Sequence, residues 1–314
     1  MELRYGILST SSIAPRFIAA VRDSGAGKIA ALSSRTLEKA QERAALWEIP
    51  KAYGSHTELL QDPEINIVYI STINAQHYVW AKAALERGKH VVCEKPCTTT
   101  AAQTRELFAL AREKGLFLME AEKMLFLPAV EAVKNIILQG KIGQVRMAEM
   151  SHSFTRGEND WMLEPSTGGG TLLSSGIYAV QLIRWLFGNI KTIGGTCNKF
   201  PNGAEYQYML TGSTESDVLF SIKNSMAVAL DNTAKFYGTD GWIELPEYWK
   251  ARKVILHVNG QAPEELAFPC EFEMTYEAKH VQQCIDRGLL TSPIATEEIS
   301  VGGISDLEMV KSGW

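Results

Sequence analysis

A run of small residues near the N-terminus has the spacing of a turn that binds a dinucleotide. In the segment RYGILSTSSIAPRF, the pattern G-x-G-x-x-G/A reads Ser9, Ser11 and Ala14. The first position permits a tight turn, the second lets the backbone approach pyrophosphate, and the third packs the helix on the strand. Serine is small and its hydroxyl can donate to phosphate, so the turn indicates a pyrophosphate site. A strand-turn-helix without a ligand is the alternative.

The residues after the second predicted strand indicate which dinucleotide binds. An NAD site places an acidic residue there, whereas this chain has Ser34 and Arg35, with Lys39 one helical turn further on. A guanidinium and a hydroxyl suit the 2′-phosphate of NADP. NADP(H) is therefore the preferred cofactor and NAD(H) the second choice. In the alternative interpretation, Arg35 and Lys39 are charges on a solvated helix face.

Strands and helices alternate through the first 121 residues. Apolar strands at 28–34, 65–72, 89–95 and 116–121 follow the N-terminal one, and amphipathic helices separate them. This alternation predicts an α/β fold, a doubly wound parallel Rossmann sheet forming a dinucleotide-binding domain over 1–121.

The pattern changes after residue 122. Helices are predicted over 128–140 and 171–187, with the strand QVRMAEMSHSFT between them. Six strand-like runs then follow from 191 to 258 without helices between them, and a late helix is predicted over 276–287. This order predicts an α+β domain over 122–314 with a large, mostly antiparallel sheet.

Composition excludes several classes of protein. The 314-residue chain carries a net charge of −5, so no basic footprint suggests nucleic acid. No apolar run reaches the roughly 20 residues of a membrane helix, and no signal peptide precedes the first strand. Five thinly spread cysteines favour a reducing cytoplasm. The spacing in CEKPC is poor for a metal, and no metal site is predicted.

Several segments, taken in order, resemble the Gfo/Idh/MocA oxidoreductase family. They are GILSTSSIA, SSR, ISTINAQH, GKHVVCEKP, LMEA and GGGTLLSSGIYA. The later segment GTDGWIELPEYW looks like the dihydrodiol and sugar dehydrogenase branch. The resemblance covers nearly the whole chain, and its specificity lies in the order and spacing of the segments. It implies an NAD(P)-dependent oxidoreductase that acts on a sugar, polyol or diol, and a homodimer or higher homo-oligomer formed through the C-terminal sheet.

The resemblance also implies cofactor contacts. They fall on the phosphate turn, on the ends of the second to fourth strands and near the fifth: Ser9, Thr10, Ser11, Ser12, Ile13, Ser34, Arg35, Lys39, Thr72, Asn74, His77, Glu94, Lys95, Pro96 and Glu120. The Lys95–Pro96 bond is often cis in the family. His77 could equally be a helix N-terminal residue without a ligand.

The implied catalytic residues are Lys95, Tyr178 and Ser174. A free tyrosine has a pKa of about 10, and a neighbouring ammonium lowers it, so Lys95 would make Tyr178 a useful acid or base. Ser174, where the family commonly has Asp, is four residues before Tyr178, on the same face of the predicted helix, and can bond a substrate hydroxyl. The alternatives are a core tyrosine and a surface lysine.

Three further residues have open interpretations. Lys123 is a charge without an assigned role, near Leu125, which stands where the family usually has Arg. His152, on a predicted strand of the second domain, could line the cleft, and a histidine bonded within the sheet is the alternative. Trp161 follows GEND in a loop that could cover the substrate, and an exposed hydrophobic cap is the alternative.

Three functions remain open at this point. The first is the dehydrogenase or reductase, and the second is a non-catalytic dinucleotide or sugar sensor on the same scaffold. Ser174 and the serine-rich turn favour the sensor to some extent. The third is a structural partner protein that pairs through its second sheet.

Overall fold

Buried apolar strands form the first sheet. In the computed structural model, which describes residues 1–155 and 161–314, six strands pair in parallel in the order β3-β2-β1-β4-β5-β6. They are β1 (Arg4–Leu8), β2 (Lys28–Ser33), β3 (Lys51–Tyr53), β4 (Ile67–Ile70), β5 (His90–Glu94) and β6 (Leu118–Ala121). The predicted doubly wound parallel sheet is confirmed, since this strand order is that of the Rossmann fold.

Helices connect these strands and continue through the rest of the chain. The α-helices of the described residues are α1 (Ala14–Ser24), α2 (Leu37–Leu46), α3 (His56–Gln61), α4 (Asn74–Glu86), α5 (Ala101–Lys114), α6 (Pro128–Leu138), α7 (Ile177–Phe187), α8 (Thr275–Asp286) and α9 (Glu297–Ser312). Helix α1 ends at Gly25, whose φ of 65° is the left-handed conformation that glycine adopts readily. The backbone therefore turns directly into β2.

The second sheet has eight strands in the order β14-β13-β12-β11-β7-β10-β9-β8. They are β7 (Val145–Ser153), β8 (Ile190–Lys199), β9 (Glu205–Thr214), β10 (Leu219–Ser225), β11 (Thr233–Gly238), β12 (Gly241–Pro246), β13 (Lys253–Val258) and β14 (Glu264–Ala267). Neighbouring strands of this sheet run antiparallel, except β7 and β10, which run parallel to each other. The predicted α+β domain with a mostly antiparallel sheet is confirmed.

The chain divides into two compact units. Unit 1 consists of residues 1–122 and 272–301, and unit 2 of residues 123–271 and 302–314. The predicted division into two domains, residues 1–121 and 122–314, stays a prediction. Helix α8 belongs to unit 1, where the Thr275 hydroxyl donates to the Asp23 carboxylate of α1 at 2.8 Å.

Four histidines of unit 1 make this unit sensitive to acid. Burial lowers the pKa of His56 and His280 to about 4, and it also lowers the pKa of His77 and His90. In the unfolded chain a histidine has a pKa of about 6.5, so below that pH the unfolded state binds more protons. Because the folded state keeps these rings neutral, the free energy of unfolding is at its full value above about pH 6.5 and decreases as the pH falls towards 4.

Replacing His56 with glutamine is expected to reduce this acid sensitivity. His56 accounts for at most about 2 kcal/mol of the stability lost between neutral pH and about pH 5. Urea unfolding of both proteins at the two pH values measures the difference. The explanation is wrong if His56→Gln and the unmodified protein lose the same free energy of unfolding on acidification.

Candidate active site

The phosphate turn adopts the backbone that a glycine would adopt. Ser9 has a φ of 112°, a region that residues with a side chain rarely occupy. Its N–H donates to the Ser33 carbonyl at 3.2 Å, and its Oγ accepts from the Ser11 N–H at 3.1 Å. Holding serine in such a conformation costs about 1–3 kcal/mol, and such strain concentrates at ligand sites.

The start of α1, beside this turn, is accessible and has no side-chain cap. No side chain caps the helix at Ile13, and a proline stands in the first turn. Thr10, Ser11 and Ile13 are partly exposed and Ser12 is exposed, so the backbone here is accessible. The Ser11 hydroxyl donates to the Ser71 hydroxyl at 2.9 Å, which joins the ends of β1 and β4. Small accessible residues at an uncapped helix N-terminus fit a pyrophosphate.

The residues after β2 divide into a buried and an exposed group. Ser34 is only 5% exposed, and its N–H donates to the Tyr53 carbonyl at 3.2 Å. Arg35 and Lys39 are exposed, and the Thr36 hydroxyl caps α2 by accepting from the Lys39 N–H. The side chain of Arg35 is therefore accessible, and the 2′-phosphate contacts predicted for Ser34 and Arg35 stay predictions.

His77 joins two of the loops at the carboxyl edge of the sheet. Its ring is 1% exposed, with Nδ1 2.8 Å from the Pro96 carbonyl and Nε2 3.1 Å from the Thr72 carbonyl. Burial lowers the pKa of His77, although the two carbonyls favour its charged form. Asn74 is the first residue of α4 and is buried. The predicted cofactor contact of His77 stays a prediction, and the structure gives the ring a positioning role.

Two carboxylates hold the turn that carries Lys95. Glu94 accepts from the Tyr69 hydroxyl and from the Lys95 N–H, the latter at 3.3 Å. Glu120, fully buried on β6, accepts from the Cys97 N–H at 2.8 Å. The Lys95–Pro96 bond is cis, as the resemblance implies. Lys95 itself is partly buried at the end of β5, on a turn fixed from both sides.

Tyr178 of unit 2 is bonded to Lys123. The Lys123 ammonium donates to the Tyr178 hydroxyl at 2.9 Å and lies 4.7 Å from the centre of its ring. Tyr178 is 8% exposed in the first turn of α7, and Lys123, which begins a 3-10 helix (Lys123–Phe126), is 5% exposed. The family resemblance implies that Lys95 acts on this tyrosine and assigns no role to Lys123, which the structure bonds to it.

Ser174 lies in a π-helical turn (Leu172–Gly176) that precedes α7. The predicted helix over 171–187 is therefore not a single α-helix, and the spacing that placed Ser174 and Tyr178 on one face is altered. The Ser174 hydroxyl donates to the Gly170 carbonyl, and the residue is 3% exposed. Beside it, the Ser175 hydroxyl accepts from the Asn224 amide at 2.7 Å. These contacts fix the turn that leads to Tyr178.

Two further candidates from the sequence, His152 and Trp161, lie in unit 2. His152 is buried near the end of β7, with its ring stacked on Trp249 at 3.9 Å between centroids. Trp161 begins a short 3-10 helix, and the GEND segment before it lies outside the described residues. Within residues 1–155 and 161–314, no group of three or more His, Cys, Asp or Glu could hold a metal ion. No helix in that part of the chain is long and apolar enough to cross a bilayer.

Comparisons with known proteins agree with this fold. Residues 3–122 match the oxidoreductase family with an NAD-binding Rossmann fold, Gfo/Idh/MocA, and residues 130–244 match the C-terminal domain of that family. The trans-1,2-dihydrobenzene-1,2-diol dehydrogenase of Mus musculus is 35% identical over 306 residues, covering 94% of this chain and 91% of that protein. The Homo sapiens enzyme is 34% identical over 307 residues, with the same coverage of both chains.

Solved structures show the same fold at lower identity. A 3-ketoreductase from Actinomadura kijaniata, crystallised with NADP and TDP-benzene, superposes with a TM-score of 0.92 at 24% identity, covering 100% of this chain and 98% of that one. A levoglucosan dehydrogenase in complex with NADH and levoglucosan gives a TM-score of 0.90 at 17% identity, covering 99% and 97%.

A Rossmann unit with a phosphate turn, followed by a unit built on a large mostly antiparallel sheet, defines a two-domain oxidoreductase class. The chain belongs to the Gfo/Idh/MocA oxidoreductase family, in the branch that contains the dihydrodiol dehydrogenases.

Proposed function

We propose that the chain is an NADP-preferring dehydrogenase or reductase that acts on the hydroxyl or carbonyl group of a sugar, polyol or diol. The observation that carries this proposal is the Lys95 turn, which Glu94, Glu120 and His77 hold from three sides. Relatives that share about a third of the sequence are named as dehydrogenases of a vicinal diol, which supports a diol within this substrate class.

The residues of unit 1 would hold the cofactor. Backbone N–H groups of the Ser9–Ile13 turn would bind pyrophosphate, and exposed Arg35 would read the 2′-phosphate. Thr72 and Asn74 stand at the end of β4, where ligands of such sheets bind. When bound, the nicotinamide supplies the acceptor or donor of the hydride.

Lys95 and Tyr178 would handle the proton of the substrate. In oxidation, the Tyr178 oxygen accepts the hydroxyl proton, and in reduction the phenol donates a proton to the carbonyl oxygen. The Lys95 ammonium donates to the substrate oxygen and stabilises the negative charge that develops on it. Ser174, whose hydroxyl donates to the Gly170 carbonyl, would accept a hydrogen bond from a second substrate hydroxyl, but it supplies no charge.

Replacing Lys95 with alanine distinguishes an enzyme from a sensor. An enzyme of the proposed mechanism loses turnover about 10²-fold or more, a loss much larger than any change in its affinity for NADPH. Lys82→Ala, which removes a partly exposed lysine of α4 paired with Glu106, is the control and is expected to keep full turnover. Turnover is followed as NADPH formation or consumption with a panel of sugars, polyols and trans-diols.

A non-catalytic sensor remains the second candidate. Ser174 stands where the family commonly has Asp, and its hydroxyl is already bonded to the Gly170 carbonyl. The sensor is favoured if the unmodified protein binds NADPH yet turns over no member of the panel, and if Lys95→Ala changes affinity alone.

A cytoplasmic location is also proposed, because all five cysteines are free thiols in the described structure.

We further propose that the open face of the second sheet forms a homodimer interface. Leu219, Met147, Tyr237 and Trp242 are paired in register across four neighbouring strands and so share one face. Leu219 is 54% exposed and Met147 is 50% exposed. An apolar row of this kind on a broad sheet suits an interface of about 1,200–2,000 Å² between two copies.

Leu219→Lys is expected to convert the dimer to a monomer, because it places a charge at the exposed end of this apolar row. Light scattering after size exclusion gives the mass of each species. Leu138→Lys, at an exposed leucine on α6, is the control and should remain dimeric. A monomeric unmodified protein, or a Leu219→Lys dimer of unchanged affinity, contradicts the proposed interface.

A further inference from the structure

We infer that Lys123 is the positioning residue that orients the Tyr178 phenol and favours its ionised form. The inference rests on the proposed function, because it concerns how Tyr178 becomes able to exchange a proton. Both residues belong to unit 2, and the Lys123 ammonium donates to the Tyr178 oxygen at 2.9 Å. The pair is therefore described within one compact unit of the chain.

The surroundings of Lys123 make the contact strong. Its side chain is 5% exposed, and the three residues that follow it, Met124 to Phe126, are apolar and buried. Removing an ammonium from water costs several kcal/mol, so a lysine at such a place needs polar partners. A hydrogen bond from a charged donor is roughly twice as strong as one between neutral groups, and it strengthens further in a medium of low dielectric.

The geometry acts on the phenol in two ways. An ammonium within hydrogen-bond distance favours the phenolate over the neutral phenol. The same ammonium lies 4.7 Å from the ring centre, so it also restricts how the ring can turn. A tyrosine whose ring is fixed and whose phenolate form is favoured is suited to accept a hydroxyl proton and to return it.

Other titratable groups lie on the elements packed around this pair. Glu122, fully buried, directly precedes Lys123. Helix α6 and the 3-10 helix Tyr248–Lys250, both packed against the 3-10 helix of Lys123, carry Glu131, Lys134, Tyr248 and Lys250. Elsewhere in unit 2, the buried titratable residues include His152, Glu205, Tyr208 and Asp306. Burial raises the pKa of Tyr208, Glu205 and Asp306, and Asp306 is paired with Arg184 at 2.6 Å. Any of these groups that titrates is present in every variant compared below, so the comparison isolates Lys123.

The test is an ultraviolet titration of the tyrosinate band with no cofactor or substrate present. Subtracting the curve of Tyr178→Phe from that of the unmodified protein isolates the ionisation of Tyr178. In a Lys123→Met background, the same subtraction is expected to give a midpoint at least one pH unit higher, a tenfold smaller ionisation constant. Lys123→Arg, which keeps the charge, should restore most of the shift.

A matched control removes a different lysine that lies over an aromatic ring. The Lys134 ammonium of α6 is 3.9 Å from the centre of the Trp185 ring, and Lys134→Met should leave the Tyr178 midpoint in place. An unmoved midpoint in Lys123→Met overturns the inference. If that variant does not fold, as judged by circular dichroism, Lys123→Gln and Lys123→Arg are compared, and equal midpoints in these two overturn it as well.

The titration separates this inference from the proposed function. If the Tyr178 midpoint depends on Lys123 but the protein has no turnover, the inference about Lys123 stands and the dehydrogenase is rejected. If turnover depends on Tyr178 but the midpoint does not depend on Lys123, the dehydrogenase stands and the inference about Lys123 is rejected. Where turnover exists, the pH profile of kcat for oxidation should move to higher pH in Lys123→Met by the same interval as the midpoint.

Discussion

Tyr178→Phe is expected to lower kcat by about 10²–10⁴, the contribution of a positioned acid or base. Phenylalanine keeps the ring in the first turn of α7 but removes the oxygen that exchanges the proton. The hydroxyl is not expected to contact NADPH, so the affinity for the cofactor should stay within about threefold. Steady-state rates with the best substrate of the panel, together with an NADPH titration, measure both quantities.

The control for this result is another tyrosine whose hydroxyl is bonded. The Tyr53 hydroxyl donates to the Asp62 carboxylate at 2.8 Å, so Tyr53→Phe also removes a hydrogen bond but lies in unit 1. Its kcat should stay within about twofold of the unmodified value. A Tyr178→Phe protein that keeps more than half of the original kcat rejects Tyr178 as the proton-exchanging group.

Arg35→Ala is expected to weaken NADPH binding by about 10- to 100-fold and to leave NADH binding nearly unchanged. A hydrogen bond to a charged group contributes about 1.5–3 kcal/mol, which corresponds to this range, and NADH lacks the 2′-phosphate that Arg35 would contact. Arg35→Asp should go further and favour NADH, because a carboxylate accepts from the ribose hydroxyl and repels the phosphate.

Equilibrium titrations of the two cofactors give these affinities. Arg87→Ala replaces another exposed arginine of unit 1, whose guanidinium bonds to the Ala83 carbonyl, and should change neither affinity. Equal losses for NADPH and NADH in Arg35→Ala would show a general effect on the turn and not recognition of the phosphate. No loss at all would favour Arg35 as a solvated residue of the helix face.

Local pattern was sufficient to predict the parallel sheet of the first unit. The apolar strands and amphipathic helices of residues 1–121 specify a parallel sheet, and the spacing of Ser9, Ser11 and Ala14 locates the phosphate turn. Strand β3 and helix α3 were missed, because three partly buried residues and a six-residue helix carry too little periodicity. The positive φ of Ser9 was not predicted either, since only the tight turn around it imposes that backbone.

Long-range contacts were the part that the sequence could not specify. Lys123 and Tyr178 are 55 residues apart, and nothing in the local pattern of either segment indicates that they meet. Similarly, the π-helical turn before Tyr178 reads as ordinary helix in the sequence, because its residues are apolar or small. Family resemblance supplied Tyr178 as a candidate but paired it with Lys95, because the resemblance assigns no role to Lys123.

A fluorescence titration of the unmodified protein with NADPH and, separately, with NADH tests the central claim most directly. Seven tryptophans provide donors for energy transfer to a bound dihydronicotinamide. The account predicts saturable binding of NADPH at micromolar concentrations and binding of NADH at least about tenfold weaker, the difference that Arg35 should make. If neither cofactor binds below millimolar concentration, the serine turn does not hold pyrophosphate, and the proposed dehydrogenase is contradicted in favour of a binding or structural role.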